Sequence, residues 1–245
     1  MATLTVYPSP GTTVDGSVYA SIAPNTWSTL RNDSGTGADS ITSTTMELYI
    51  GADGAGPSTW GLLRRIVILF DTSALTSGAT ISAAIMSVYG TFKSDSLAAT
   101  PNIDVYTSNP SSNTSLAGGD YSTMGIVSQT GVPITYAGWS TTGYNDFTFN
   151  ATGRGNISKT GISKFGLRNA SYDVANVAPP WVSSGTGRMQ MAASDAVGTS
   201  TDPKLVITYI TGPATIKTFN GIAQANVKTV NGVATGSIKS WGTAT

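Results

Sequence analysis

Short β-compatible runs recur along the whole chain, each closed by a cluster of Gly, Pro, Ser or Asn, and no segment carries a sustained 3.6-residue apolar period with helix caps. The runs are Thr3–Tyr7, Thr45–Ile50, Arg64–Phe70, Thr80–Phe92, Asn102–Thr107, Asn145–Ala151, Lys164–Asn169, Arg188–Ala193 and Lys204–Ile210. A chain so punctuated can close a core only by stacking strands, which predicts an all-β sandwich of nine or so strands. One short helical turn at most fits between Thr152 and Gly161. The connections Asn109–Tyr121 and Tyr172–Gly187 are long, and long loops on a rigid β scaffold are where partners are usually met. One domain over residues 1–210 with an appendage at 211–245 accounts for the length.

The appendage repeats itself. Ile216, Val227 and Ile238 are spaced by eleven residues, each followed by Lys (Lys217, Lys228, Lys239) and a hydroxyl residue (Thr218, Thr229, Ser240). The first two copies place Asn220-Gly221 and Asn231-Gly232 between short β-compatible segments, the strongest local signal for a two-residue hairpin because both residues tolerate positive φ. The third copy breaks down at Trp241-Gly242-Thr243. A lone hairpin is marginal in water, so each unit needs a surface to pack on. The apolar positions expected to supply it are Ile216, Phe219, Ile222, Val227, Val230, Val233 and Trp241.

Composition narrows the chemistry. Cys and His are both absent, which removes disulfides, thiolate nucleophiles, zinc sites built on those residues and the commonest general base at neutral pH. Glu47 is the only glutamate and most aspartates lie in turn-like contexts, so the expectation is no enzyme; Asp120 and Asp146 are the carboxylates to test if one were sought. Thirteen basic residues balance thirteen acidic ones, which predicts no nucleic-acid or anionic-membrane partner. Charged residues make up only 11%, a surface that resists association poorly and points to assembly. The first residues have neither a basic nor an apolar leader region, and the longest aliphatic run, Ile66–Phe70, is too short for a bilayer; neither Sec secretion nor a membrane span is expected.

The stretch Arg64–Gly90, "RRIVILFDTSALTSGATISAAIMSVYG", resembles the signature of DNRLRE-type domains: Phe70-Asp71, Leu75, Gly78-Ala79-Thr80-Ile81 and Ala83-Ala84 occupy the motif positions. "ISKTGISKFGLRNASYDV" and "AASDAVGTSTDPKLVITY" are similar to the closing half of the same family. That resemblance implies a jelly-roll β-sandwich shaped like carbohydrate-binding modules. The tail repeats, in turn, look like those closing many tailed-phage virion proteins.

The residues themselves add local expectations. Asp71 is read as a turn cap rather than a catalyst. Arg64-Arg65 in one strand puts a guanidinium on each face, so one of them must meet a buried acceptor, for which Asp71 or Asp104 are candidates. The loop "NDSGTGAD" crowds oxygens around Asp33 and Asp39, a weak calcium candidate without EF-hand spacing; no other cofactor is expected. Trp27, Trp60, Trp139, Tyr144 and Trp181 fall in loop contexts where a ring could stack on a sugar or plug an interface. Together these predict a non-enzymatic virion component, a capsid decoration or head-fibre protein first and a tail component next. Its partners would be copies of itself, preferably as a trimer, capsid or tail proteins, and surface glycans. A glycan-binding or adhesion module, using Trp60, Trp139, Tyr144 and Trp181, is the alternative.

Overall fold

The computed structural model describes residues 1–39, 43–195 and 198–211, and the backbone of four two-residue strands beyond them. The main body is antiparallel β throughout, with eleven strands in one branched sheet. They are β1 (Ala2–Val6), β2 (Asp15–Asn25), β3 (Gly37–Asp39), β4 (Thr45–Ala52), β5 (Trp60–Asp71), β6 (Thr80–Asp95), β7 (Ile103–Thr107), β8 (Tyr144–Thr148), β9 (Ile162–Asn169), β10 (Thr186–Ala192) and β11 (Lys204–Ile210). All nine runs read from sequence are strands, and β2 and β3 are added to them. Two short α-helices, α1 (Trp27–Arg31) and α2 (Ala151–Gly155), and helical turns at Ser73–Leu75, Gly118–Thr123 and Ala170–Val174 complete the described body. The helix α2 falls where a helical turn was expected; its Asn150 side chain accepts from Gly153 N at 2.9 Å, an N-cap of the usual kind.

The sheet branches at Arg64-Arg65. One edge of β5 pairs with β2 from Trp60 to Ile68. The other edge pairs with β4 as far as Arg64, then with β9 from Ile66 onward. β4 therefore leaves β5 at this point and continues with β10, while β9 continues with β7. Leaving the ladder orphans backbone groups on β4, and a side chain takes them over: Glu47 N donates to Ser17 Oγ at 3.0 Å and that hydroxyl reaches Glu47 O at 3.4 Å. β6 joins the arms, pairing with β11 and β8 through its first part and with β10 through its second.

Because β5 lies inside the molecule, both its faces are apolar. Ile66, Ile68 and Phe70 enter a core with Met46 and Leu48 of β4, Met189 and Met191 of β10, and Phe165 and Leu167 of β9. Leu63, Val67 and Leu69 enter a second core with Trp27 and Leu30 of α1, Tyr121 and Met124. Trp27 and Trp60 meet there edge to face at 5.3 Å. The continuous run Ile66–Phe70, fully buried at every position, is thus the signature of a strand with a core on each side.

Beyond β11 the described strands form two pairs. β12 (Thr218–Phe219) pairs with β13 (Ile222–Ala223) and β14 (Thr229–Val230) with β15 (Val233–Ala234). Phe219 is opposite Ile222 and Val230 opposite Val233, so each Asn-Gly lies in a two-residue connection, at the eleven-residue period of the sequence. Ile216, Val227 and Trp241 lie outside the described residues, as do the side chains of Phe219, Ile222, Val230 and Val233.

Candidate functional site

The two arginines of β5 separate as their alternation requires. Arg64 faces outward, in a row that runs in register across four strands: Tyr19, Arg64, Tyr49, Arg188. Its guanidinium lies 4.8 Å from the Tyr19 ring centroid and 2.6 Å from Asp39 Oδ2, and its Nε is 3.3 Å from Glu47 Oε1. Arg188 Nη2 donates to Glu47 Oε2 at 2.8 Å, with the guanidinium 5.6 Å from Tyr49 and 5.5 Å from Phe92. The face is a self-neutralised mat of rings and ion pairs.

Arg65 faces inward, and its acceptor corrects the sequence reading: neither Asp71 nor Asp104 but Asp173. Asp173 has no exposed side-chain area and lies on the single turn Ala170–Val174 that follows β9. Arg65 donates to it through Nε at 2.8 Å and Nη2 at 2.7 Å, and Arg168 of β9 does the same at the same two distances. Burial alone would raise this carboxyl, but the Arg65 and Arg168 guanidiniums outweigh it and hold Asp173 below the ordinary carboxylate range. The remaining arginine donors tie down loops: Arg65 Nη1 to Tyr121 O at 2.6 Å, Arg65 Nη2 to Arg31 O at 2.8 Å, and Arg168 Nη1 to Gly125 O at 2.8 Å. Arg31, at the end of α1, donates from Nε to the Asp173 carbonyl, and this Nε lies 3.9 Å from Asp173 Oδ1. All three arginines line a surface cavity of about 190 Å³ together with Asn32, Asp33, Ser122, Met124 and Ile126.

No family model matches the chain, and no curated protein matches it.

A second ionisable cluster lies where β1 and β2 meet the loop before β11. Asp15, nearly fully buried, accepts from Ser194 N at 2.9 Å and from Ser194 Oγ. Desolvation raises its pKa to about 6 against the opposing Ser194 hydrogen bonds, with Asp195 and Asp202 adding repulsion. Among the described residues no Lys or Arg forms an ion pair with any of these three.

The aromatic candidates divide. Trp60 and Trp139 are 1% and 2% exposed, packed in the two cores, and offer no ring face to a sugar; Trp27 is buried as well. Their loop-like sequence context concealed that β5 begins at Trp60 and that Thr26 caps a helix at Trp27. Tyr144 is half-buried, with Lys204 Nζ 3.9 Å from its ring centroid, Tyr89 edge-on at 5.4 Å and its hydroxyl donating to Ser200 O and Asp202 O. Trp181 is half-exposed, anchored by Nε1 donating to Thr59 O at 2.9 Å.

The loop weighed for calcium is built for packing instead. Asp33 Oδ1 accepts from Gly35 N at 2.7 Å, Asp39 is engaged by Arg64, and Gly35 at φ +97° lets the backbone approach Gly118 so closely that a Cβ would sit 1.9 Å from its carbonyl oxygen. No group of three acidic, His or Cys residues stands ready for a metal among the described residues. Asp71 caps its turn as read, accepting from Ser73 N at 3.0 Å. Asp120 is buried and accepts from Ser111 N and Ala117 N at 2.9 and 2.8 Å, which leaves it holding a loop; Asp146 is exposed on β8. Among the described residues no helix is long and apolar enough to cross a membrane.

Proposed function

We propose that this chain is a non-enzymatic structural component of a tailed-phage particle, a capsid decoration or head-fibre protein in the first place and a tail component in the second. In this reading residues 1–210 form a jelly-roll β-sandwich of the DNRLRE type that projects from the particle, and residues 211–245 attach it to a lattice or to copies of itself, preferably as a trimer. The observation that carries the reading is the tail. Both complete repeats pair across their Asn-Gly, giving successive miniature hairpins whose two-residue strands are too short to persist without a surface to pack on. Unpaired edges on such hairpins are suited to strand addition by a partner. The low charge of the chain supports the same reading, since it suits a surface meant to be covered.

Sedimentation and light scattering on the full chain and on a chain ending at Thr211 test it. A defined oligomer that becomes a monomer of unchanged circular dichroism on truncation supports an assembly element. Equal masses for both, with no binding of either to phage capsids or tails, would remove the proposal.

A glycan-binding role is the second reading, favoured by one observation: Trp181 keeps part of its ring accessible next to a loop, anchored by its Nε1 and packed on its other side against the second core. Glycan-array binding abolished by Trp181→Ala, with Tm unchanged, would establish it.

A further inference from the structure

The cavity beside Asp173 holds an unbalanced charge. Arg31, Arg65 and Arg168 converge on it, and the carboxylate they share, Asp173, already accepts two bidentate pairs. Arg65 and Arg168 are thereby satisfied. Arg31 is not: its Nε goes to a backbone carbonyl, its Nη1 to Asn32 Oδ1 at 2.7 Å, and its Nη2 has no acceptor among the described residues. Asp33 lines the same cavity yet forms no ion pair with Arg31 among those residues, its Oδ1 being used to cap Gly35. A guanidinium held against two others gains by meeting an anion, because like charges at this range repel in a partly desolvated site. Burial, together with repulsion from Arg168 and Arg65, lowers the pKa of Arg31 against the pull of Asp173, in keeping with a missing counter-charge.

Part of the lining is apolar. Met124 and Ile126 line the cavity, and Ile126 is 63% exposed, an aliphatic side chain held in water beside cationic groups. At about 190 Å³ the space is several times the roughly 30 Å³ share of one water, enough for more than a bare ion.

The geometry points to a binding site for an organic carboxylate, with the carboxylate accepting from Arg31 Nη2 and the apolar body of the ligand lying on Met124 and Ile126. Arg65 and Arg168, locked by Asp173, supply the positive field without moving, so the site is preorganised. This inference is independent of the particle reading, since it concerns the main body and not the tail.

The test uses the full chain and simple probes: sodium butyrate, sodium acetate and sodium chloride at matched ionic strength, followed by chemical shifts of the arginine Nε–H groups and by calorimetry. The expected result is saturable binding of both carboxylates, at least about threefold tighter for butyrate because its extra methylenes reach the apolar wall, with the Arg31 Nε–H signal moving and chloride without effect. Ile126→Ala should level the two carboxylates. Arg31→Gln should abolish binding. Should Arg31→Gln fail to fold, Asn32→Asp is the second variant: it is exposed, supplies the missing anion from within the chain, and should weaken butyrate at least about tenfold while leaving Tm in chloride equal or higher. Equal responses to butyrate and chloride, equal affinity for acetate and butyrate, or butyrate binding that survives Asn32→Asp would each overturn the assignment.

Discussion

Asp15 and Asp173 are both buried carboxylates, and their surroundings give them opposite pH behaviour. Asp15 has neighbours that donate hydrogen bonds but no cation in an ion pair, so desolvation wins and its pKa rises from 3.8 to about 6. The native state then holds that proton more tightly than the unfolded chain. Its contribution of about 3 kcal/mol is present in full below pH 4, declines as pH rises from about 4 to 6, and is gone above pH 6. Asp15→Asn should therefore gain stability relative to the parent as pH rises, with the difference in urea unfolding free energy between pH 4 and 7.5 larger in the variant by up to that amount. The amide can still satisfy Ser194, accepting from its N–H and donating to its hydroxyl. An identical pH profile for both proteins would show that Asp15 is not desolvated. Asp173, in contrast, is held ionised by two arginines, and Asp173→Asn leaves their charges buried without a counter-ion. That loss should cost about 3–5 kcal/mol in urea unfolding at pH 7. A cost below about 1 kcal/mol would mean that the arginines find other partners.

At the level of elements, the branch of the sheet is the feature on which the molecule turns. β9 approaches β5 closely because Gly166 has no side chain: a Cβ there would lie 2.2 Å from Ile66 O and 2.5 Å from Met124 Cε. Gly166→Ala must push β9 from β5 as well as displace Met124, at a cost of about 1–3 kcal/mol, which is roughly 2–4 °C of Tm per kcal/mol for a domain of this size. Thermal unfolding followed by circular dichroism checks it, and an unchanged Tm would mean the two strands separate without penalty. Asn150 does two jobs at α2: it caps Gly153 N and donates to Thr130 O at 2.7 Å. Asn150→Ala should cost about 1–2 kcal/mol in the same assay. Aspartate retains the cap but loses the donor, so it should fall between the two.

For the whole molecule, the arrangement explains why the tail was easier to read than the body. A hairpin is local: its turn residues and the strands they join are adjacent in sequence, so the Asn-Gly period alone located both strand pairs. Removal of residues 212–245 is expected to leave the Tm of the body unchanged within about 2 °C, because stability there comes from the two β5 cores. A collapse of Tm on truncation would instead make the tail part of the folded core.

The sequence by itself determined nine of the eleven strands of the main body, a helical turn within Thr152–Gly161, the turn cap at Asp71 and the opposed faces of Arg64 and Arg65, but not the turn α1. Each rests on a period or a turn residue within a few positions. It missed β2, whose Gly16, Ser17, Ser21 and Pro24 dilute the β signal; the alternation Val18, Ala20, Ile22 was the clue available. Only the tertiary structure decided that Arg65 meets Asp173 across 108 residues, that Trp60 and Trp139 face inward, and that a third arginine joins the first two with one carboxylate between them. The physical reason is common to all of these. Which face of a strand is buried, and which distant charge answers a buried one, depends on what the chain folds over that face, and the branch that sends β4 and β9 apart leaves no mark in local periodicity.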